Sequence, residues 1–229
     1  MTLRHEVKYQ PSYALALIDL DPGESIQAEA GAMVSMSSTI EMETSTRGGM
    51  LSGLRRSVLG GESFFINTFH AEQEAGQVTV APALPGDIMA LELTGETTLL
   101  VQSGSFLAAT EGVDVDTKWG GAKSFFSSEG LFLLRCTGQG TIWVSSYGAI
   151  HPIDLAVGEP YTVDTGHMVA FDDSVQYDVG RSGGWKSTLF SGEGLVVKLT
   201  GPGRFFMQTR SEDAFLSWLL PKIPKQGGN

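Results

Sequence analysis

The chain has 229 residues, 26 acidic against 15 basic side chains, a formal net charge of −11 and 41% hydrophobic content. That balance argues against non-specific nucleic-acid binding, which needs a basic surface to displace counterions, and against broad attraction to anionic lipid. Cys136 is the single cysteine, so no disulfide framework or thiolate metal site is available, and no stretch nears the ~18 apolar residues of a membrane-spanning helix.

The 29 glycines, set among many Val, Phe, Thr and Ser residues, predict short strands joined by tight turns. The opening MTLRHEVKYQPSYALALIDL alternates polar with apolar residues instead of forming a signal-type run, which leads to an expectation of a cytoplasmic protein. From residue 13 one phrase order follows. The strand YALALIDL leads into the turn LDPGES, then AEAGAMVSM at 28–36 and the alternating TIEMETS at 39–45. The Gly-rich basic stretch RGGMLSGLRRSVLGGE (47–62) comes next, then SFFINTF and GQVTVAP.

The same order recurs twice. DIMALEL, LTGETT, VQSGSFLAA (101–109), VDVDTKW (113–119) and GGAKSFFSSEG (120–130) lead to LFLLRCTGQGTIWVSS. AIHPIDL, AVGEPY, VDTGHMVAF (163–171), VQYDVGR (175–181) and GGWKSTLFSGEG (183–194) lead to LVVKLTGPGRFFMQT. Gly31, Gly104 and Gly166 anchor the central phrases, where a strand bends or neighbouring backbones approach too closely for a Cβ. Thr137–Gly140 and Thr200–Gly203 read as hairpin turns.

The pattern predicts an all-β single domain over 1–229, built of three repeated β-sandwich or β-helix-like units (about 13–82, 83–148 and 149–210). Grouped around a pseudo-threefold axis, such units would cover one another's edges. A C-terminal helix over 211–220 follows, with Ser211 as N-cap, Glu212 and Asp213 in the first turn, and Phe215, Trp218 and Leu219 as an apolar stripe meant to pack on the body.

The stretch GGMLSGLRRSVLGGESFFINTF, the three Gly-anchored phrases and the closing FFMQTRSEDAFLSWL resemble the bacterial and archaeal relatives of the yeast mitochondrial-inheritance protein number twenty-four. The resemblance runs nearly end to end. It implies a pseudo-threefold all-β fold similar to the trp RNA-binding attenuation protein, and it implies no reaction. The mitochondrial members are associated with organising inner-membrane complexes. This sequence shows no mitochondrial presequence, so that role does not carry over directly.

The basic stretch is the strongest binding candidate. Arg47, Arg55 and Arg56 stand with no acid between residues 46 and 61, and Met50, Leu51, Leu54, Val58 and Leu59 add apolar reach. Such a loop would dock on anionic lipid headgroups or on an acidic protein partner; the plainer reading is packing on the body, with arginines solvated or paired between subunits. Lys123 and Lys186 each follow a Gly pair and precede Ser, but Ala122 and Trp185 stand where a phosphate loop needs glycine, so the anion-binding signal is weak. Trp119 and Trp185 flank corresponding Gly-Gly stretches and would stack bases or sugars, although core or interface packing is the commoner use of Trp.

His5, His70, His151 and His167 are scattered and form no ligand cluster. No nucleophile elbow or His-Cys pair is present, and VDVD reads as a solvent-facing strand. The expectation is therefore a non-enzyme without cofactor: a homo-oligomeric scaffold or binding module, a trimer being one form, that organises a protein or membrane-associated complex. RNA binding on the same fold and small-molecule binding are the rivals, and the net charge opposes the first.

Overall fold

The computed structural model describes residues 3–44, 57–59, 62–64, 66–116, 132–181 and 195–224. The described residues form an all-β body with one short C-terminal helix. No helix among them is long and apolar enough to cross a membrane.

The first stretch runs β1 (His5–Lys8), β2 (Leu15–Leu20), β3 (Ser25–Glu29), β4 (Met33–Met36), β5 (Ile40–Thr44), β6 (Ser57–Leu59), β7 (Glu62–Phe64), β8 (Ile66–Ala71) and β9 (Gly76–Val80). β9 lies between β2 and β4, and β1 pairs the far side of β2. β8 lies between β3 and β5, and β6 pairs β7. In β2 every second side chain is buried, as a half-buried pleated strand requires. Gln10 pins the N-terminal arm: its Nε2 donates to Asp87 Oδ1 at 2.9 Å and to the Ile88 carbonyl at 2.8 Å.

The middle stretch runs β10 (Ile88–Thr94), β11 (Leu99–Gln102), β12 (Phe106–Thr110), β13 (Val113–Asp116) and β14 (Leu133–Ser145). The first half of β14 is flanked by β11 and β13, its second half by β10 and β12. The last runs β15 (Ile150–Leu155), β16 (Pro160–Asp164), β17 (Met168–Asp172), β18 (Gln176–Arg181), β19 (Leu195–Thr200) and β20 (Gly203–Gln208). β19 lies between β16 and β18, and β20 between β15 and β17.

Two further ladders join these stretches. β12 runs antiparallel to β3, with Ala108 opposite Ala28, Ala109 opposite Gln27 and Thr110 opposite Ile26. β17 runs antiparallel to β11, with Ala170 opposite Val101, Phe171 opposite Leu100 and Asp172 opposite Leu99. Together they build one eleven-stranded sheet, while the β1-β2-β9-β4 and β16-β19-β18 sheets stay separate.

Glycine is needed where the chain turns. Gly23, Gly95 and Gly158 adopt φ of 86°, 93° and 76°, a region costly for any residue with a Cβ. The Glu after the first and last of them closes the turn: Asp21 N donates to Glu24 Oε2 and Ala156 N to Glu159 Oε2, both at 2.8 Å.

The central phrases bend at their anchoring glycines, one of the two readings of those positions: 3-10 turns at Ser103–Ser105 and Thr165–His167, and a turn at Gly31, divide each into two strands. Crowding does not select Gly31, since nothing lies within 4 Å of where its Cβ would sit. Nor is Thr137–Gly140 a hairpin turn. β14 runs straight through it, because its two halves are already flanked on both sides by other strands and have no open edge to offer each other. Gly138 instead permits close packing, for a Cβ there would strike the carbonyl of Gly112. β19 and β20 likewise pair with other strands, not with each other.

The core falls into three clusters. The first gathers Ile18, Leu20, Ile26 and Phe69 with Leu107 and Trp143 of the middle stretch. The second gathers Val101, Phe106, Cys136 and Ile142 with Val169 and Phe206 of the last stretch. The third centres on Leu155, Phe171, Val197 and Phe205. Each fully buried side chain of this kind contributes roughly 1.5–3 kcal/mol. Burial pushes the Cys136 thiol up to about 12, with Asp114 adding to the effect, so Cys136 behaves as a small hydrophobe.

Helix α1 (Glu212–Leu219) starts as expected, with Ser211 Oγ accepting from Ala214 N at 3.3 Å. Its stripe is not sealed against the body. Phe215 meets Tyr147 with ring centroids 5.9 Å apart, but no helix residue is buried and Trp218 is 60% exposed.

Candidate functional site

All seven residues singled out from the sequence, Arg47, Arg55, Arg56, Lys123, Lys186, Trp119 and Trp185, lie outside the described residues. The structure does fix the strand ends from which their segments depart. Thr44 at the end of β5 pairs with Asn67 on β8, Asp116 of β13 with Arg135 on β14, and Arg181 of β18 with Leu195 on β19. Each segment thus leaves one strand and returns on its antiparallel neighbour.

The described titratable groups serve mainly the fold. His167 Nδ1 sits 2.7 Å from the Gln208 carbonyl. The Gln208 side chain donates to the Gly166 carbonyl and accepts from Tyr147 N, both at 2.8 Å. His5 meets the buried Trp143 edge-on at 5.2 Å, which makes Trp143 a core residue. Asp172 Oδ2 accepts from Arg204 N at 2.9 Å and faces the same guanidinium at 3.7 Å, which holds β17 to β20. His70 Nε2 lies 3.9 Å from Glu43 Oε2 in an open, polar concavity of about 210 Å3 that Glu24 and Glu72 also line. Among the described residues no three His, Cys, Asp or Glu side chains are placed to hold a metal ion.

A surface feature escaped the sequence reading. All four residues of β4 are exposed, with Val34 at 58% and Met36 at 40%. The first three residues of β16 are exposed as well. The sequence holds little signal for this, because AGAMVSM is nearly as apolar as GSFLAA and GHMVA; Ser35, standing where those phrases have Ala108 and Ala170, is the one polar departure.

The family of this architecture is shown by comparison. Residues 5–210 match the family described as Mitochondrial biogenesis AIM24. The chain belongs to the AIM24 family. It is 30% identical over 230 residues to an uncharacterised protein of Streptococcus pyogenes serotype M6, covering 97% of this chain and 92% of that one. The X-ray structure of another Streptococcus pyogenes protein matches with a TM-score of 0.81 at 29% identity, over 96% of this chain and 100% of that one. AIM24 membership brings a shared fold, and the streptococcal relative's name states no activity.

Proposed function

We propose that this AIM24-family protein is a non-catalytic, oligomeric β scaffold of the cytoplasm that presents the basic segment 47–61 to an acidic protein partner or an anionic membrane surface. The observation that carries this reading is the charge pattern. Three arginines occur with no acid between residues 46 and 61 of a chain whose net charge is −11, alongside five apolar side chains. Local positive charge against a negative background selects an anionic surface at short range and repels it elsewhere.

The body that carries the segment is, in this reading, three TRAP-like repeats (13–82, 83–148, 149–210) related by successive pseudo-threefold rotations, joined through β3/β12 and β11/β17 and followed by α1. Two observations support it. β9, the second half of β14, and β20 each lie between the strands that open and centre their own stretch. The ladder on the central strand shifts register at Met33/Ser35, at Phe106/Ala108 and at Met168/Ala170, three corresponding places in the phrase. A bulge that recurs at one sequence position is an inherited feature of a unit, not an accident of packing.

Co-sedimentation with phosphatidylserine-containing and neutral phosphatidylcholine vesicles tests the function. With about 1 kcal/mol per arginine near an anionic surface, replacing Arg47, Arg55 and Arg56 together by Ala weakens binding on the order of a hundredfold. Binding of the wild type to anionic vesicles only, lost in the triple variant and at high salt, supports the membrane form of the reading. Triple-variant-sensitive capture of an acidic protein without vesicle binding supports the protein form. Binding that the triple variant retains removes the segment from the account.

A further inference from the structure

Resting on the three-repeat reading, we infer that β4 and β16 are the two halves of a third junction, completed between two copies of this chain. Within the chain, two junctions have one form. The central strand of one repeat pairs antiparallel with the preceding repeat's strand: β12 with β3, and β17 with β11. The registers coincide when the phrases are aligned on Gly31, Gly104 and Gly166, since Ala108 opposite Ala28 corresponds to Ala170 opposite Val101, and Ala109 opposite Gln27 to Phe171 opposite Leu100. The remaining strands of these two types are β4 in the first repeat and β16 in the third. Among the described residues β4 pairs only β9, and β16 pairs only β19.

Burial marks the same two strands as unfinished. β12 and β17 are buried over their first four residues, whereas all four residues of β4 are exposed. At the bulge the contrast is sharpest. Leu107 and Val169 are fully buried, each in the core cluster of the preceding repeat, while their counterpart Val34 is 58% exposed. By the same rule Val34 belongs in the third cluster, beside Val163, of a neighbouring copy.

The edges suit this use. A free strand edge invites pairing unless charge, proline or a cover blunts it. Among the described residues β5, β13 and β18 also pair on one side only, and each carries carboxylates; β15 carries Pro152. β4 carries neither, and residues 30–39 contain no charged side chain; β16 opens on Pro160 and ends on Asp164, both outside the 161–163 stretch that the carried-over register pairs. The one hydroxyl of β4 is already matched, Ser35 Oγ lying 2.7 Å from Thr79 Oγ1, so covering it would leave no orphaned polar atom.

Carrying over the two internal registers gives Ser35 opposite Val163, Met36 opposite Thr162 and Ser37 opposite Tyr161. Because β4 and β16 are different surfaces, the contact is head-to-tail: it propagates from copy to copy and closes into a ring or extends as a filament. The occupant of each edge is thus a second copy of this chain.

Light scattering on the full chain tests this with two single variants at exposed positions, Val34→Lys on β4 and Thr162→Lys on β16. The wild type gives a molar mass above 24.5 kDa that grows in whole multiples with concentration. Each variant alone runs as the monomer, with unchanged circular dichroism. Mixed, they form a 1:1 dimer and nothing larger, because each supplies the edge that the other keeps. A wild type that stays monomeric at every concentration overturns the inference, as does an oligomer that both variants leave intact. Loss of assembly in V34K alone, with T162K still assembling, overturns the head-to-tail pairing in favour of β4 on β4. None of these outcomes touches the arginine segment, whose vesicle or protein binding is read separately, so failure of one reading is distinguishable from failure of the other.

Discussion

At the scale of single residues, the glycines and Cys136 show how a sequence position acquires its meaning from its surroundings. Gly158 stands in a tight turn at φ 76° with nothing within 4 Å of its missing Cβ, so only backbone strain opposes a larger residue. Gly138 stands at φ 99° with the Gly112 carbonyl in the way, so strain and collision act together. Gly158→Ala accordingly lowers stability by about 1 kcal/mol, and Gly138→Ala by about 3 kcal/mol or more, as read from denaturant midpoints. Cys136 makes a second residue-level prediction. Burial raises its thiol from 9.0 to about 12, so the unfolded chain releases that proton at lower pH than the folded one. The contribution is fully present below pH 9 and fades as pH rises towards 12. Cys136→Val flattens that part of the pH–stability profile, and thiol reagents label the native wild type only after unfolding. Equal slopes for both proteins, or rapid native labelling, would contradict the buried assignment.

At the scale of elements, strands were legible and their partners were not. Alternation in YALALIDL and the Gly-Glu turns located β2, β10 and β15 and their exits correctly, because period and turn chemistry are local properties. The Ser211 cap located α1 for the same reason. LLRCTGQGTIWVS was misread as a hairpin because Thr-Gly-Gln-Gly fits a turn locally, whereas what keeps β14 straight is the presence of β10, β11, β12 and β13 along its edges. Those partners lie up to 57 residues away in sequence (Ile88 opposite Ser145), and no local signal reports them. The stripe of Phe215, Trp218 and Leu219 has the same lesson: helical spacing identifies an apolar face, and only the neighbours decide whether it is covered. The seven candidate binding residues gained no geometry, since they fall outside the described residues, while the exposed edge of β4 was invisible beforehand because its phrase reads like its buried counterparts.

At the scale of the whole molecule, the proposed body is an arc of three like units that ends in two complementary edges. A heterologous contact of this kind multiplies any weak site. Copies linked through β4 and β16 would present segment 47–61 repeatedly on one assembly, and binding to an extended anionic surface would then exceed the affinity of a single segment by avidity. On these proposals a scaffold role and an unclosed β body are one physical statement: the free edges would make the assembly, and the assembly would make the arginine segment effective.

Amide hydrogen exchange of the wild-type chain, followed by mass spectrometry at low and high protein concentration, tests that account most directly. Residues 33–37 and 160–164 should exchange quickly in the dilute protein and slow together as concentration rises, approaching the protection of β12 and β17 in the junctions already formed. Fast exchange in both strands at every concentration, or protection in one without the other, would show that the two edges do not meet.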